Sequence, residues 1–197
     1  MKNKTILLLI LTLFVSLQTF SQSSENPDTV CVASNVYYKI PNPTANSTFS
    51  WGIYNSEGTI TFGAGTDSIR VEWNNTAGID SLWVFETSQA NCKGDTAKLT
   101  VVRVALPTAE FDNSTLCNGE NLQINFTGFA PWQVEYTIDG SPVTQTGITQ
   151  NPYSAGTAAG TYIIMQTSDK HCSNSSPSGT INAVIAEPLQ QLQIFHE

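Results

Sequence analysis

Two histidines, four cysteines and a thin scatter of carboxylates are the side chains with which this chain could do acid–base, covalent or metal chemistry. His171 abuts Cys172, and His196 is the penultimate residue. A nucleophilic triad needs a histidine oriented by a carboxylate beside an activated serine, and no serine sits in a GxSxG elbow. Glu72, Glu86, Asp95, Glu110, Asp112, Glu135 and Asp139 occur singly along strands and turns. A glycosidase needs two carboxylates facing one another, a pairing that nothing in their spacing suggests. There is no DxDxDG calcium loop. The chain therefore reads as non-catalytic, with no cofactor and no metal, and His171 reads as an ordinary loop residue.

The cysteines say more. Cys31 and Cys92 flank Trp51, and Cys117 and Cys172 flank Trp132, so one order of cysteine, tryptophan and cysteine occurs twice. Four cysteines allow three connectivities, and only the sequential one keeps each bridge within one copy. The expectation is thus a Cys31–Cys92 bridge and a Cys117–Cys172 bridge. Each would close a loop of about 55–60 residues and stabilise its copy by roughly 4 kcal/mol on the chain-entropy argument. Zinc binding is the competing reading; the lack of any CxxC pair and an exported location weigh against it.

Aromatic residues are the other candidates for a working surface, because sugar rings present apolar faces to flat aromatic side chains. Trp51, Trp73 and Trp132 share strand faces with apolar neighbours and are expected in cores. Trp83, Tyr37 and Tyr38 are left as a candidate glycan platform.

These residues need elements to position them, and the periodicity is that of strands. Val36, Tyr38 and Ile40 alternate with polar neighbours until Pro41 and Pro43 break the run. Phe49, Trp51 and Ile53 form a second strand, and the turn Asn55-Ser56-Glu57-Gly58 predicts a hairpin into Thr59–Phe62. Ile69, Val71 and Trp73 alternate with Arg70 and Glu72; Leu82–Phe85, apolar on both faces, reads as the central strand; Leu99–Val104 closes the first copy. Leu106-Pro107-Thr108 marks a short, stiff boundary. In the second copy Leu122, Ile124 and Phe126 form one inward face, and Trp132, Val134, Tyr136 and Ile138 the next. Asp139-Gly140 is a hairpin turn. Tyr162–Met165 is the second central strand, and Ile181, Ala183 and Ile185 complete the plan. The fold class expected is all-β: two tandem immunoglobulin-like sandwiches, each with its own disulfide.

Lys2 and Lys4 followed by the apolar run Ile6–Leu17, too short for a comfortable span, read as an export signal cleaved after Ser21. The first cysteine, Cys31, lies well beyond that position, which argues against a lipid anchor. The expected organisation is residues 1–21 as leader, 22–28 as a flexible start, 29–105 and 108–187 as the two domains, and 188–197 as a tail. Charged residues make up only 12% of the chain, a composition at home in exported all-β modules. The net charge of −8, two units more acidic once Lys2 and Lys4 are removed, disfavours nucleic acid and anionic membranes as partners. The tail Leu189-Gln190-Gln191-Leu192-Gln193-Ile194-Phe195-His196-Glu197 carries apolar residues with no core of their own. They fold back on the second domain, or Leu189, Leu192, Ile194, Phe195 and His196 dock into a partner as a strand or anchoring peptide.

The runs Tyr37-Tyr38-Lys39-Ile40-Pro41, Phe49-Ser50-Trp51-Gly52-Ile53, Gly58-Thr59-Ile60, Asp67-Ser68-Ile69-Arg70-Val71-Glu72-Trp73 and Asn91-Cys92-Lys93-Gly94-Asp95 resemble the PKD-like immunoglobulin-type domains of Bacteroidetes surface proteins. The likeness covers residues 28–104 well and the second copy in outline. In place of the usual WDFGDG core the chain has Trp51-Gly52-Ile53-Tyr54, which marks a divergent branch. The resemblance implies a role beside gliding motility or type IX secretion. Thr29, Ser68, Ser81 and Thr96, each after an aspartate and before an apolar residue, look like O-glycosylation acceptors of that phylum. Partners implied are a large adhesin or an outer-membrane barrel, with glycans as the alternative ligand. The location implied is periplasm, outer membrane or cell surface, with no membrane span.

Overall fold

The computed structural model describes residues 26–177 and 182–186, and every regular element among them is a strand. The expected leader, the tail with Leu189, Leu192, Ile194, Phe195 and His196, and Ile181 lie outside the described residues.

The first body is built from β1 (Asp28–Cys31), β2 (Asn35–Lys39), β3 (Thr48–Ile53), β4 (Gly58–Phe62), β5 (Ser68–Trp73), β6 (Gly78–Thr87) and β7 (Ala97–Val104). One sheet runs β1-β7-β6-β3, with β1 parallel to β7, and the other runs β2-β5-β4. Period-two alternation decides which side chains meet between them. Ile69, Val71 and Trp73 of β5 point inward to Leu82 of β6 and Val101 of β7, while Arg70 and Glu72 point away. Trp73 is 1% exposed, and its polar edge is satisfied. The indole N–H donates to the Tyr38 hydroxyl at 3.2 Å, and that hydroxyl donates to Asp28 Oδ2 at 3.0 Å, so a buried polar relay joins the two sheets. Burial pushes the Tyr38 hydroxyl well above the usual tyrosine range; the Trp73 bond opposes this and the Asp28 carboxylate adds to it.

The expected hairpin after β3 is not formed. β3 pairs with β6 and β4 pairs with β5, so the chain crosses from one sheet to the other at Asn55–Glu57. The reason lies in Asp80, 2% exposed, whose carboxylate accepts the N–H groups of Asn55 (3.1 Å) and Glu57 (3.2 Å). The turn donors thus go to a buried side chain rather than to a neighbouring strand. Facing Asp80 is Arg103, also buried, 3.9 Å from it and 3.6 Å from Glu57, donating through Nε to the Thr76 carbonyl at 3.0 Å.

The second body comprises β8 (Ala109–Phe111), β9 (Thr115–Cys117), β10 (Leu122–Phe126), β11 (Trp132–Ile138), β12 (Ser141–Ile148), β13 (Tyr153–Gly156), β14 (Gly160–Ser168), β15 (Ser173–Asn174) and β16 (Asn182–Ala186). Its sheets run β13-β10-β8 and β12-β11-β14-β16-β9, with β15 added to β14 and β9 parallel to β16. Leu122, Ile124, Val134, Tyr162, Ala183 and Ile185 form a separate core. Asp139 (φ 48°) and Gly140 (φ 80°) both take positive φ, the geometry that a two-residue β11–β12 hairpin requires. Each body is therefore an immunoglobulin-like sandwich with its own core, and the all-β tandem architecture expected from the periodicity is the one observed.

The disulfide pattern is different from the expected one. Cys31 is bonded to Cys172, across 141 residues, and Cys92 and Cys117 are free and exposed. Cys31 ends β1, where Val32 N–H donates to the Val104 carbonyl at the end of β7, next to the connection between the bodies. Cys172 lies in the β14–β15 turn of the second body. Cys92 sits instead in the β6–β7 loop, and Cys117 ends the edge strand β9. The duplicated cysteine order thus gives one bridge between the sandwiches and none within either.

Candidate binding face and bridged junction

Two places gather side chains that no core requires. The first is the outer face of the β1-β7-β6-β3 sheet. Along β6, Leu82 and Val84 point inward, so Trp83 and Phe85 must point outward. Trp83 is opposite Gly52 of β3, and its indole packs against that glycine; a Cβ at position 52 would come within 2.3–2.7 Å of three indole atoms. The rings of Trp83 and Phe85 are parallel within 4°, with centroids 5.9 Å apart. Tyr54, 50% exposed, continues the same outward side just beyond β3. Two ammonium groups hang over these rings: Lys93 Nζ lies 3.8 Å from the Phe85 centroid and Lys98 Nζ 4.8 Å from that of Tyr54. Lys98 is also the cross-strand partner of Trp83. Ser81 and Thr100, opposite one another on β6 and β7, supply small hydroxyl groups on the same outward side.

The expected platform is thereby redrawn. Tyr38 is in the core, and Tyr37, 68% exposed, points outward from the other sheet, opposite Arg70, which in turn is opposite Phe62. Trp83 thus shares its face with neither tyrosine. Its companions are Tyr54, Phe85, Lys93 and Lys98. The signal for Phe85 was present in the sequence: a strand apolar on both sides puts Trp83 and Phe85 on the side opposite Leu82 and Val84. Pairing of β6 with β3 and β7, which brings Tyr54 and Lys98 alongside, has no local signature.

The second place is the junction. Pro107 is fully buried and its carbonyl accepts from Asn174 Nδ2 at 2.9 Å. Thr108 and Thr127 exchange bonds through backbone and side chain. Asp169 gathers the nearby loops: Oδ1 accepts from the N–H groups of His171 (2.8 Å) and Cys172 (2.7 Å), and Oδ2 from that of Phe129 (2.9 Å). The His171 ring meets the Phe129 ring edge-on at 5.4 Å. This carboxylate is spent on loop geometry, and His171 packs against an aromatic neighbour.

Other candidate carboxylates are similarly occupied. Glu86 accepts from the Ser47 hydroxyl and from Thr44 N–H at 2.9 Å, bonds that hold its carboxyl below the usual range. Asp112 accepts from Gln123 N–H and Asp139 from Thr161 N–H. Among the described residues no three histidine, cysteine or acidic side chains are grouped to hold a metal ion, and no helix is long and apolar enough to cross a membrane. Of the acceptor triplets, Thr29 on β1 and Thr96 before β7 are exposed, Ser68 begins β5, and Ser81 lies within β6. The aspartate before Ser81 is the buried Asp80.

No family model matches the chain, and no curated protein does. Solved structures of similar architecture include the D00–D0 domain of intimin (7% identity, TM-score 0.40, 83% of this chain and 98% of that one). Another is the I67–I69 I-band fragment of titin (14%, 0.41, 83% and 63%). A third is the SGBP-B protein of the Bacteroides ovatus mixed-linkage glucan utilization locus, solved with a mixed-linkage heptasaccharide (14%, 0.31, 81% and 42%).

Proposed function

We propose that this chain is an exported, non-catalytic display module: two tandem sandwiches that act as an accessory or adhesin subunit of a bacterial surface complex. The observation that carries this reading is the Cys31–Cys172 bridge beside the buried Pro107, which fixes one sandwich to the next and belongs to an oxidising compartment. The leader-like residues 1–21 and the acidic, weakly charged composition support export. The resemblance of residues 28–104 to PKD-like domains supports a place beside Bacteroidetes gliding or type IX secretion machinery. The partner would be a large adhesin or an outer-membrane barrel, with Leu189–Glu197 as the docking peptide. The test is deletion of the gene in its own host, followed by complementation with the full chain and with a chain lacking residues 189–197. Loss of surface attachment or gliding, restored only by the full chain, is expected; a deletion strain with unaltered attachment and motility refutes the reading.

A second reading is favoured by one observation, the indole of Trp83 packed against Gly52 beside a parallel Phe85 ring. That geometry suits stacking of pyranose rings and makes the first sandwich a carbohydrate-binding module. Glycan-array binding that disappears in a folded Trp83→Ala protein supports it, and binding indifferent to that change refutes it.

A further inference from the structure

We propose that the outer face of the β1-β7-β6-β3 sheet binds an anionic, uronate-containing polysaccharide, with Trp83 as stacking surface and Lys93 and Lys98 as carboxylate partners. The proposal rests on the carbohydrate reading of this face and specifies its ligand. A neutral glycan needs aromatic planes and hydroxyl partners only. Here two ammonium groups are poised over the rings flanking Trp83, at 3.8 Å from Phe85 and 4.8 Å from Tyr54. An apolar partner seated on the face would strip water from both ammoniums without replacing it, which costs free energy. A carboxylate replaces that water with a charge-assisted hydrogen bond.

Charge complementarity narrows the choice further. The chain carries −8 overall, so a polyanion is repelled by most of its surface. Lys93 and Lys98 are two of its eight cationic residues, and each lies over an aromatic ring of this one sheet face. The nearby Glu86 has its carboxylate directed to Thr44 and Ser47. A uronate chain offers both recognition elements at once: C–H faces for the indole and a carboxylate on each sugar ring for the lysines.

The test titrates oligogalacturonate, neutral cello-oligosaccharide and poly-glutamate into the intact, oxidised chain, following tryptophan fluorescence and calorimetric heat. Oligogalacturonate is expected to bind, to weaken as salt rises, and to lose about tenfold in affinity per lysine in Lys93→Gln and Lys98→Gln. Those variants alter solvent-facing ammoniums and leave the cores intact, so they remain informative even where Trp83→Ala fails to fold. Cello-oligosaccharide binding that is lost in Trp83→Ala but unchanged in the lysine variants overturns this proposal while leaving the carbohydrate reading standing. Equal binding of poly-glutamate and oligogalacturonate overturns it too, since sugar faces would then play no part. Absence of binding to every glycan sinks both readings together.

Discussion

Replacing Cys31 by serine should destabilise both sandwiches through a single atom change. The bridge spans 141 residues, for which the chain-entropy argument gives about 5 kcal/mol when the whole chain unfolds. If only the first sandwich unfolds, the bridge still holds Cys31 to the folded second one, closing a loop of about 75 residues up to Pro107 and contributing about 4.5 kcal/mol. If only the second unfolds, the closed segment from Thr108 to Cys172 is about 65 residues long and contributes about 4 kcal/mol. These contributions do not add: once one body has unfolded against the bridge, the other draws only about 0.5–1 kcal/mol more from it, so this single bond gives about 5 kcal/mol in all where two internal bridges would give roughly 4 kcal/mol to each body. Guanidinium titration reads the effect: Trp51, Trp73 and Trp83 report the first body and Trp132 the second. With a typical slope for domains of this size, the midpoint of the body that unfolds first should fall by about 1–2 M in Cys31→Ser or Cys172→Ser, and that of the other by a few tenths of a molar. Cys92→Ser and Cys117→Ser should leave both unchanged. Unaltered midpoints in Cys31→Ser, or a peptide map joining Cys31 to Cys92, would refute the reasoning.

Asp80→Ala removes the buried one of the two carboxylates beside Arg103, leaving the partly exposed Glu57, and frees the Asn55 and Glu57 N–H groups; a loss of about 2–4 kcal/mol is expected in urea unfolding, and a loss under about 1 kcal/mol would contradict this account. Burial, with Tyr153 and Tyr162 nearby, pushes the Tyr136 hydroxyl up from 10.0 to about 12. Because the folded value is the higher one, its contribution is intact below pH 10 and is lost as pH rises towards 12. Stability measured across that window should fall less steeply in Tyr136→Phe, and an equal slope would count against the assignment. Gly52→Ala should lift the Trp83 ring off the sheet and change its emission while the fold persists; an unchanged spectrum would mean that the ring does not pack against residue 52.

Much of this architecture is visible to alternation alone, because a strand with one face in a core must repeat every second residue. Ile69, Val71 and Trp73, and later Leu122, Ile124 and Phe126, are apolar for that reason, and both runs are buried. Asp139-Gly140 is equally legible, since few residue pairs accept two positive φ values. What local patterns do not encode is pairing between distant segments. The turn at Asn55–Gly58 has hairpin composition, yet its N–H groups are taken by Asp80 from a later strand. The cysteines show the same gap. Proximity in a duplicated pattern suggested internal bridges, but which sulfurs meet depends on where β1 ends relative to the β14–β15 turn, a relation set by two bodies and their connection. For the binding face, outward Trp83 and Phe85 follow from the β6 alternation, whereas the approach of Tyr54, Lys93 and Lys98 depends on how neighbouring strands and loops are laid beside β6.

The Cys31–Cys172 link also decides how the chain would carry tension. A pull applied at residue 28 and at residue 186 enters through β1, crosses the two sulfurs and leaves through β15 and β16. Everything from Val32 to His171, about 480 Å of contour if fully drawn out, stays off the load path while the bond is intact. Under oxidising conditions that length is withheld from extension. Once reduced, the protein becomes a spring with two unfolding modules in series.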